Sequence, residues 1–469
     1  MRHILVIGIV CISTACTVGP NYRRPSLATP QSFRVPDPLP PGQAESFADL
    51  KWFEVFKDEQ LQSLIRQALQ RNYDLRDAVA RVEEARASLG ITRSDQFPSF
   101  AVGAAAEINR VSRDGATPIP PELLSSQNRN FGTAALQLLS FEVDIWGKLR
   151  RATEAARANL LSADENRKAV VTTLVSDVAT AYLTLRELDY ELEISTRTLQ
   201  TREESLELTQ SREAHGVSTE LDLRQAEELV DTAAETIPQT ERQIEQTENQ
   251  ISLLLGQSPN AVVRGRSLTE LQIPPEVPPG LPSALLERRP DIRAAEQDLI
   301  AANAKIGVAR AAYFPTLSLS GALGGASTQL SSLFAGPASL WNLTPQIIQP
   351  IFTAGRLKST VKLAKAEHER MLIQYEKTIQ TAFTETSDAL IAHQRFRESR
   401  EKQEALEKAL EDRLRLAYLR YNGGVDTQLN ALDADRDLFQ GQLDLARLRL
   451  EEILSVVQLY KALGGGWQS

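Results

Sequence analysis

Two long stretches of this chain, residues 147–256 and 355–464, repeat apolar residues every three or four positions. The spacings are 4, 3, 4, 3 and 4 in the first stretch and 3, 4, 3, 4 and 3 in the second, which is the pattern of a coiled-coil seam. The seam positions are Leu174, Val178, Ala181, Leu185, Leu188 and Leu192, and then Leu443, Ala446, Leu450, Ile453, Val457 and Tyr460. A helix from Lys148 to His215 would be about 100 Å long. So narrow a seam on so long a helix predicts packing along neighbouring helices, not around a compact core.

The two stretches are copies of one sequence. Shifted by 208 residues without a gap, the glycines of the first copy fall on those of the second: Gly147, Gly216 and Gly256 on Gly355, Gly424 and Gly464. Upstream, residues 74–98 match residues 291–315 at an offset of 217. The nine-residue difference arises between these blocks, where a loop can absorb it. A register held over 110 residues predicts a duplicated helical hairpin with a glycine-marked tip in each copy.

Between the helical stretches the apolar spacing changes to every second residue. Alternation runs over residues 100–108 and 131–143, around a loop at 114–130, and the second copy repeats it at about 316–327 and 339–352. A period of two predicts strands, so each copy should contain one strand hairpin. Four strands cannot close a barrel, and an open sheet edge is not tolerated in lipid. Any membrane barrel must therefore be shared between two or three subunits.

The first fifteen residues have the pattern of a secretory signal, with an apolar run from Ile4 to Ile12 and small residues up to Ala15. The signal ends at Cys16, which resembles a bacterial lipobox and predicts acylation of that cysteine. The alternative is ordinary cleavage nearby, which would leave Cys16 as a thiol. Cys11 would leave with the signal, so no disulfide could form within the mature chain. No later segment offers 18 uninterrupted apolar residues, and residues 19–41 are proline-rich and should form an extended tether.

Composition excludes several classes of function. The formal net charge of −9 over 469 residues argues against nucleic acid as a partner, because phosphate binding needs concentrated lysine and arginine. Four histidines and two cysteines leave little material for a metal site or a disulfide framework. No nucleophile, base and orienting group occur in a recognisable motif, so an enzyme is not predicted.

Five short motifs stand out along the chain. They are Cys16-x-x-Gly19-Pro20-Asn21-Tyr22-x-x-Pro25, Trp52-Phe53-x-x-Phe56-x-Asp58, Asp144-Ile145-Trp146-Gly147-Lys148-Leu149-Arg150-Arg151, Arg288-Arg289-Pro290-Asp291-Ile292-Arg293 and Gln349-Pro350-Ile351-Phe352-x-x-Gly355-Arg356-Leu357. Together they resemble the TolC-like outer membrane factors of tripartite efflux pumps, and most of all the NodT-type lipoproteins that serve RND pumps. The resemblance covers essentially the whole chain.

This resemblance implies a mainly helical fold with transmembrane strands. The family forms a homotrimer, in which a twelve-stranded β-barrel in the outer membrane continues as a tunnel of twelve long helices into the periplasm. Drugs or other small toxic compounds would pass, untransformed, from a periplasmic adaptor and an inner-membrane RND pump to the exterior. Outer-membrane lipid would be a further partner, and no cofactor is implied beyond a covalent lipid on Cys16.

Two other functions compete with efflux. A channel for one-step (type I) protein secretion has the same fold, although the lipoprotein start and the block at 288–293 favour an RND-type outlet. A soluble coiled-coil scaffold would need neither the alternating strands nor the lipobox.

The resemblance places a periplasmic gate at the tip of the second hairpin, where the family's tyrosine, glycine and aspartate match Tyr421, Gly424 and Asp433. Leu429 and Asp433 are four residues apart and would face the same way on one helix. Repeated by threefold symmetry, they would form an apolar ring and an acidic ring across the bore. Ordinary packing of Leu429 and a helix-terminal role for the acid are the alternatives. Asp433 falls on Gln225 in the first copy, so an acidic gate would belong to the second copy.

Asp426 and Asn430 lie on the same tip. Some relatives carry a base at the position of Asp426 and a second acid at that of Asn430, so the ties between subunits that hold those relatives shut should differ here. For Asp426, which follows Gly424 closely, helix capping is the favoured interpretation.

The pattern divides the chain into ten segments. They are a signal peptide (1–15), a lipidated proline-rich segment (16–57), helices of repeat 1 (58–97), strand hairpin 1 (98–146), long helical hairpin 1 (147–256), a linker (257–283), a helix of repeat 2 (284–314), strand hairpin 2 (315–354), long helical hairpin 2 (355–464) and a C-terminal tail (465–469).

Overall fold

The computed structural model of the chain describes residues 17–26, 30, 32–34, 47–110, 128, 130–271 and 282–467. The signal segment, Cys16, most of the 114–130 loop and residues 272–281 of the linker lie outside the described residues. Contacts divide the chain into two compact units. The first unit comprises Met1–Pro25, Val82–Ser162 and Ala295–Tyr375, and the second comprises Ser26–Arg81, Ala163–Ala294 and Glu376–Ser469.

The described residues form nine α-helices and four strands. In chain order they are α1 (Trp52–Val55), α2 (Glu59–Arg71), α3 (Tyr73–Ser94), β1 (Phe100–Glu107), β2 (Phe131–Val143), α4 (Lys148–Ala214), α5 (Glu220–Leu254), α6 (Leu285–Arg288), α7 (Pro290–Ala311), β3 (Thr316–Ser327), β4 (Ser339–Ile348), α8 (Arg356–Asn422) and α9 (Gln428–Ala462). None of the described helices is both long enough and apolar enough to cross a membrane.

Corresponding helices of the two copies have equal lengths, which confirms the internal duplication. Helices α4 and α8 have 67 residues each, α5 and α9 have 35 each, and α3 and α7 have 22 each. The first two pairs start 208 residues apart and the third pair starts 217 apart, as the two sequence offsets require. The length difference between the copies is therefore confined to the strand hairpins.

The tip of each helical hairpin turns at a glycine with a left-handed backbone. Gly216 and Gly424 both have φ of +72°, a conformation that side chains with a Cβ rarely adopt. Beyond each glycine the next amide closes the helix end, since Val217 N donates to the Arg212 carbonyl at 2.8 Å and Val425 N to the Arg420 carbonyl at 3.0 Å. Both tips thus end in the same glycine-dependent cap.

The four strands lie in one antiparallel sheet in the order β1-β2-β3-β4. Phe100 pairs with Leu138 in β1–β2, Val143 with Leu317 in β2–β3, and Thr316 with Ile348 in β3–β4. The two predicted strand hairpins are thus joined through β2 and β3, whose register shifts between Leu138 and Phe141. Such a bulge increases the local twist of the sheet.

One predicted strand is shorter than expected. Alternation in the sequence extends to Phe352, but β4 ends at Ile348. The ladder stops there because Ile348 pairs with Thr316, the first residue of β3. Ile351 and Phe352, which follow the strand, are 95% and 88% exposed.

The start of the proline-rich N-terminal segment runs without helix or strand over the surface of two helices and is bound to them. In the first unit, Arg24 Nε and Nη2 donate to the two carboxylate oxygens of Glu296 on α7 at 2.7 and 2.5 Å, and the Tyr22 hydroxyl donates to the same carboxylate at 3.0 Å. Burial and the Glu296 charge raise the pKa of Tyr22. Asn21 Oδ1 accepts from Arg151 Nη2 on α4 at 2.7 Å. These bonds fix the segment on two helices.

A close backbone approach explains the first glycine of the N-terminal motif. A Cβ on Gly19 would lie 2.5 Å from the Cα of Gly307 on α7, and a Cβ on Gly307 would lie 2.8 Å from the Val18 carbonyl oxygen. Gly19 also has φ of +108°. Both positions therefore exclude a side chain.

The arginine-rich block before α7 holds the C-terminal end of α9 in the second unit. Arg289 is 8% exposed and donates from Nη1 to the Ala462 carbonyl at 3.0 Å, so a cation caps the negative end of that helix. Its Nε and Nη2 donate to Asp291 at 3.0 and 2.6 Å, and Glu385 lies 2.8 Å from Nη1. The carbonyl and the two carboxylates compensate for the loss of water around the buried Arg289 guanidinium.

The second unit buries the carboxyl group of Glu187 in the contact between α4 and α9. The helices pack through the cluster Ile194, Phe439 and Ala446. Nearby, Glu187 on α4 is 7% exposed; it faces Glu191 on its own helix, and Arg447 and Glu451 on α9. Burial, helped by Glu191, raises the pKa of Glu187 to about 7.

Replacing Glu187 by glutamine should stabilise the protein at pH 8 and have little effect at pH 4. The folded chain holds the Glu187 proton more tightly than the unfolded chain. The protonated Glu187 therefore stabilises the folded chain relative to its ionised form. This stabilisation is fully present below about pH 4.5 and is lost as the pH rises through about 7. The expected gain at pH 8 is on the order of 1–3 kcal/mol in unfolding free energy. Thermal midpoints measured at the two pH values at a fixed scan rate test it.

The matched control is Glu193→Gln, because Glu193 is an exposed glutamate on the same helix. It should leave both midpoints near those of the wild type. An unchanged or lowered midpoint of Glu187→Gln at pH 8 would contradict the expected cost of the buried charge.

Candidate functional site

The tip of the second hairpin brings Tyr421 into contact with the first hairpin. Tyr421 lies in the last turn of α8, and its hydroxyl accepts a hydrogen bond from Arg212 Nη1 on α4 at 2.7 Å. The same hydroxyl donates to Gln428 Oε1 at the start of α9 at 3.1 Å, and Gln428 Nε2 donates to Thr209 Oγ1 on α4 at 2.9 Å. The Arg212 guanidinium carbon lies 5.1 Å from the Tyr421 ring centroid. Tyr421 therefore anchors both sides of the tip on α4.

Asp426 does not cap α9, so that interpretation is wrong. The cap residue is Thr427, one position later, and Asp426 instead pairs with Arg420 Nε at 2.9 Å. Its other carboxylate oxygen accepts from Asn430 Nδ2 at 2.6 Å and from the Thr427 amide at 2.9 Å. These donors, Arg420 first, lower the pKa of Asp426 to about 2. The structure thus joins two of the predicted tip residues within one subunit.

The two predicted gate residues lie one turn apart near the start of α9. Leu429 is 46% exposed. Asp433 is partly exposed and pairs with the exposed Arg436 on the same helix at 3.1 Å. Sequence reasoning did not include this neighbouring cation. Gly424, by contrast, is at the turn itself, as described above.

Sequence reasoning also missed a buried arginine farther from the tip. Arg202 on α4 is 4% exposed, and its Nε donates to Asp435 Oδ2 on α9 at 2.6 Å. Nη1 donates to the Leu229 carbonyl on α5 at 2.8 Å, and the guanidinium carbon lies 4.9 Å from the Phe439 ring centroid. Nη2 is buried without a hydrogen-bond partner in the described part of the chain. Arg202 thus links α4, α5 and α9.

The ion pairs Arg420–Asp426 and Arg202–Asp435 differ in burial, and burial decides which of them contributes more to holding the hairpins together. In the pair with Asp426 the Arg420 side chain is 60% exposed, whereas the Arg202 side chain is 4% exposed. Exposed ion pairs contribute about 0–1 kcal/mol. Removing one partner of a buried pair costs about 3–5 kcal/mol, because the remaining charge is left desolvated.

The arrangement is suited to tying helices together, not to chemical conversion. Its polar groups bind one another across α4, α8 and α9. Within the described residues there is no group of three or more histidine, cysteine, aspartate or glutamate side chains that could hold a metal ion.

Comparison with known proteins agrees with this geometry. A model of the outer membrane efflux protein family matches residues 64–257 and 281–465. The toluene efflux pump outer membrane protein TtgC of Pseudomonas putida is 38% identical over 455 residues, which cover 96% of this chain and 93% of that protein. The cation efflux system protein CusC of Escherichia coli is 35% identical over 460 residues, covering 97% and 96%.

Solved structures show the same fold. The open state of the Neisseria gonorrhoeae MtrE outer membrane channel superposes with a TM-score of 0.87 at 31% identity, over 97% of this chain and 99% of that chain. The outer-membrane channel OprN superposes with a TM-score of 0.88 at 31% identity, over 97% and 100%.

These matches confirm the predicted TolC-like fold, the outer membrane location and a transport role without enzymatic activity. The chain belongs to the outer membrane efflux protein family and is an outer membrane exit channel of a tripartite efflux pump.

Proposed function

We propose that three copies of the chain assemble into one channel, which receives small toxic compounds from an inner-membrane RND pump through a periplasmic adaptor. The observation that carries the assembly is the open four-stranded sheet, in which β1 and β4 each have a strand partner on one side only among the described residues. Large apolar side chains stand exposed on these edge strands, among them Val102 at 83% and Trp341 at 77%. In lipid both edges must be paired, and neighbouring copies can pair them.

The names of the relatives support small compounds as the cargo. TtgC is named for toluene and CusC for cations.

Deleting the gene for this chain in its own host should raise susceptibility to organic solvents, metal cations or antibiotics. The reason is that the pump and adaptor would lose their outlet. Minimal inhibitory concentrations for a panel of these compounds, with re-expression as the control, measure it. Unchanged susceptibility together with a protein retained in the periplasm would instead support the type I secretion outlet.

The proposed gate consists of Leu429 and Asp433, with Tyr421, Gly424, Asp426 and Asn430 shaping the tip. Partial exposure of Leu429 and Asp433 in one subunit leaves both side chains able to meet their symmetry mates. Three carboxylates brought to one ring would repel one another unless cations lie close, and Arg436 supplies such a charge at 3.1 Å from Asp433.

Replacing Asp433 by alanine should raise the single-channel conductance of the purified trimer in planar bilayers. The change removes the ring of carboxylates at the narrowest part of the path. Native mass spectrometry of the same preparation first establishes that three chains are present. The matched control is Asp437→Ala, because Asp437 lies one turn farther along α9 and also contacts Arg436. Equal conductance of Asp433→Ala and the wild type would show that this residue is not the gate.

We also propose that Cys16 carries the lipid. Its neighbour Thr17 lies against Gly147, four residues beyond the end of β2, and Val18 N donates to the Trp146 carbonyl at 3.0 Å. An acyl chain on Cys16 would add hydrophobic attachment to the outer membrane.

Mass spectrometry of the mature N-terminal peptide should find a chain that begins at Cys16 and carries acyl chains, palmitate among them. Cys16→Ser is the control, since it should remove the lipid mass. A mature chain that begins at another residue, or an unmodified Cys16, would refute the lipoprotein assignment.

A further inference from the structure

We propose that Arg202 is a positioning residue of the gate: its buried pair with Asp435 holds α9 against the first hairpin, and the tip opens when this pair is broken. The inference rests on the gate proposed above and names what controls it. It concerns a buried residue pair, in contrast to the exposed pair of Arg420 and Asp426 at the tip.

The position of Asp435 on α9 makes the pair suited to this role. Asp433 and Asp435 are two residues apart, so their side chains point to nearly opposite sides of the helix. Asp433 is partly exposed, whereas the Asp435 side chain is 11% exposed and points at Arg202. One side of α9 therefore carries the gate while the other side is held by the first hairpin.

Further contacts lie on the same side of α4 as Arg202. Thr209 is seven residues later, two helical turns along, and accepts the hydrogen bond from Gln428. Between them Ser205 hydrogen-bonds the Tyr418 hydroxyl on α8, and burial raises the pKa of that tyrosine. Arg202 is the charged member of this row, and its loss would leave the buried Asp435 carboxylate without its cation.

The duplication shows that the Arg202–Asp435 ion pair has no counterpart made by the equivalent residues of the two copies. At the offset of 208 residues, Arg202 corresponds to Leu410 and Asp435 to Glu227. In a ring of alternating hairpins the equivalent contact between neighbouring copies would set Leu410 against Glu227, and these residues cannot form an ion pair. The Arg202–Asp435 ion pair, called the clamp below, therefore ties the two hairpins of one chain and has no equivalent between chains.

The clamp is also incompletely satisfied, which favours reversible release. Nη2 of Arg202 is buried and has no hydrogen-bond partner in the described part of the chain. A buried donor without a partner is costly, and water would satisfy it once the hairpins separate. Closed and open arrangements are thereby brought closer in free energy than a fully paired arginine would allow.

The test measures single-channel conductance of purified trimers in planar bilayers, with thermal midpoints of the same samples. Arg202→Met keeps the length of the side chain and removes its charge, and Asp435→Asn keeps the shape of the carboxylate. Both should raise the open-to-closed ratio about tenfold, which corresponds to about 1.4 kcal/mol. Arg202→Lys, which retains the cation, should restore values near those of the wild type. Asp435→Asn decides the matter if Arg202→Met does not assemble.

Arg400→Met is the matched control. Arg400 pairs with Glu452, which is 2% exposed, but this pair joins α8 and α9 within the second hairpin. Its loss should lower the thermal midpoint and leave conductance unchanged. Folded trimers of Arg202→Met or Asp435→Asn with wild-type conductance, or equal leakage through Arg400→Met, would overturn the clamp. A wild-type protein that forms no channel would overturn the proposed assembly as well.

Discussion

The packing of the long helices along a narrow seam is the constraint on which the second unit depends. Beyond Leu192 the seam of α4 continues at the same spacing, and every seventh residue is polar yet buried: Ser195 is 0% exposed, Arg202 4% and Thr209 3%. Position on the helix, not polarity, therefore decides burial. An unpaired buried polar group is costly, and the Ser195 hydroxyl has no hydrogen-bond partner among the described residues. Arg202 and Thr209 find theirs on α9.

Duplication has preserved the backbone and let the side chains diverge. The helices of the two copies agree in length, and both tips turn at a glycine with the same φ. Arg212 and Arg420 occupy equivalent positions, yet Arg212 binds Tyr421 of the other hairpin and Arg420 binds Asp426 of its own turn. The partners differ because Tyr421 corresponds to Glu213 and Asp426 to Ser218. One architecture thus provides two unequal tips.

Sequence reasoning succeeded where the determinants are local. The spacing of apolar residues predicted the long helices, and the alternation predicted the strands, except for the end of β4 at Ile348. It could not predict which helix a given side chain meets, because that depends on residues more than 200 positions away, as for Arg202 and Asp435. A charged residue on the continuation of an apolar seam was the available signal for Arg202. The partner of Asp426 was missed for a related reason, since Arg420 reaches it across the turn.

Two arginines, Arg289 and Arg202, anchor α9 and limit where the second hairpin can move. Arg289 holds the C-terminal end of the helix through the Ala462 carbonyl, and Arg202 holds Asp435. The segment Gln428–Ala434 precedes the second anchor and is about 10 Å long. This segment carries Leu429 and Asp433, and its start is held by the hydrogen bonds of Gln428 to Tyr421 and Thr209. Breaking those neutral bonds frees about two turns, whereas breaking the Arg202 pair frees α9 as far as the apolar contacts around Phe439 and Ala446. A wide opening of the tip therefore requires the deeper anchor to yield.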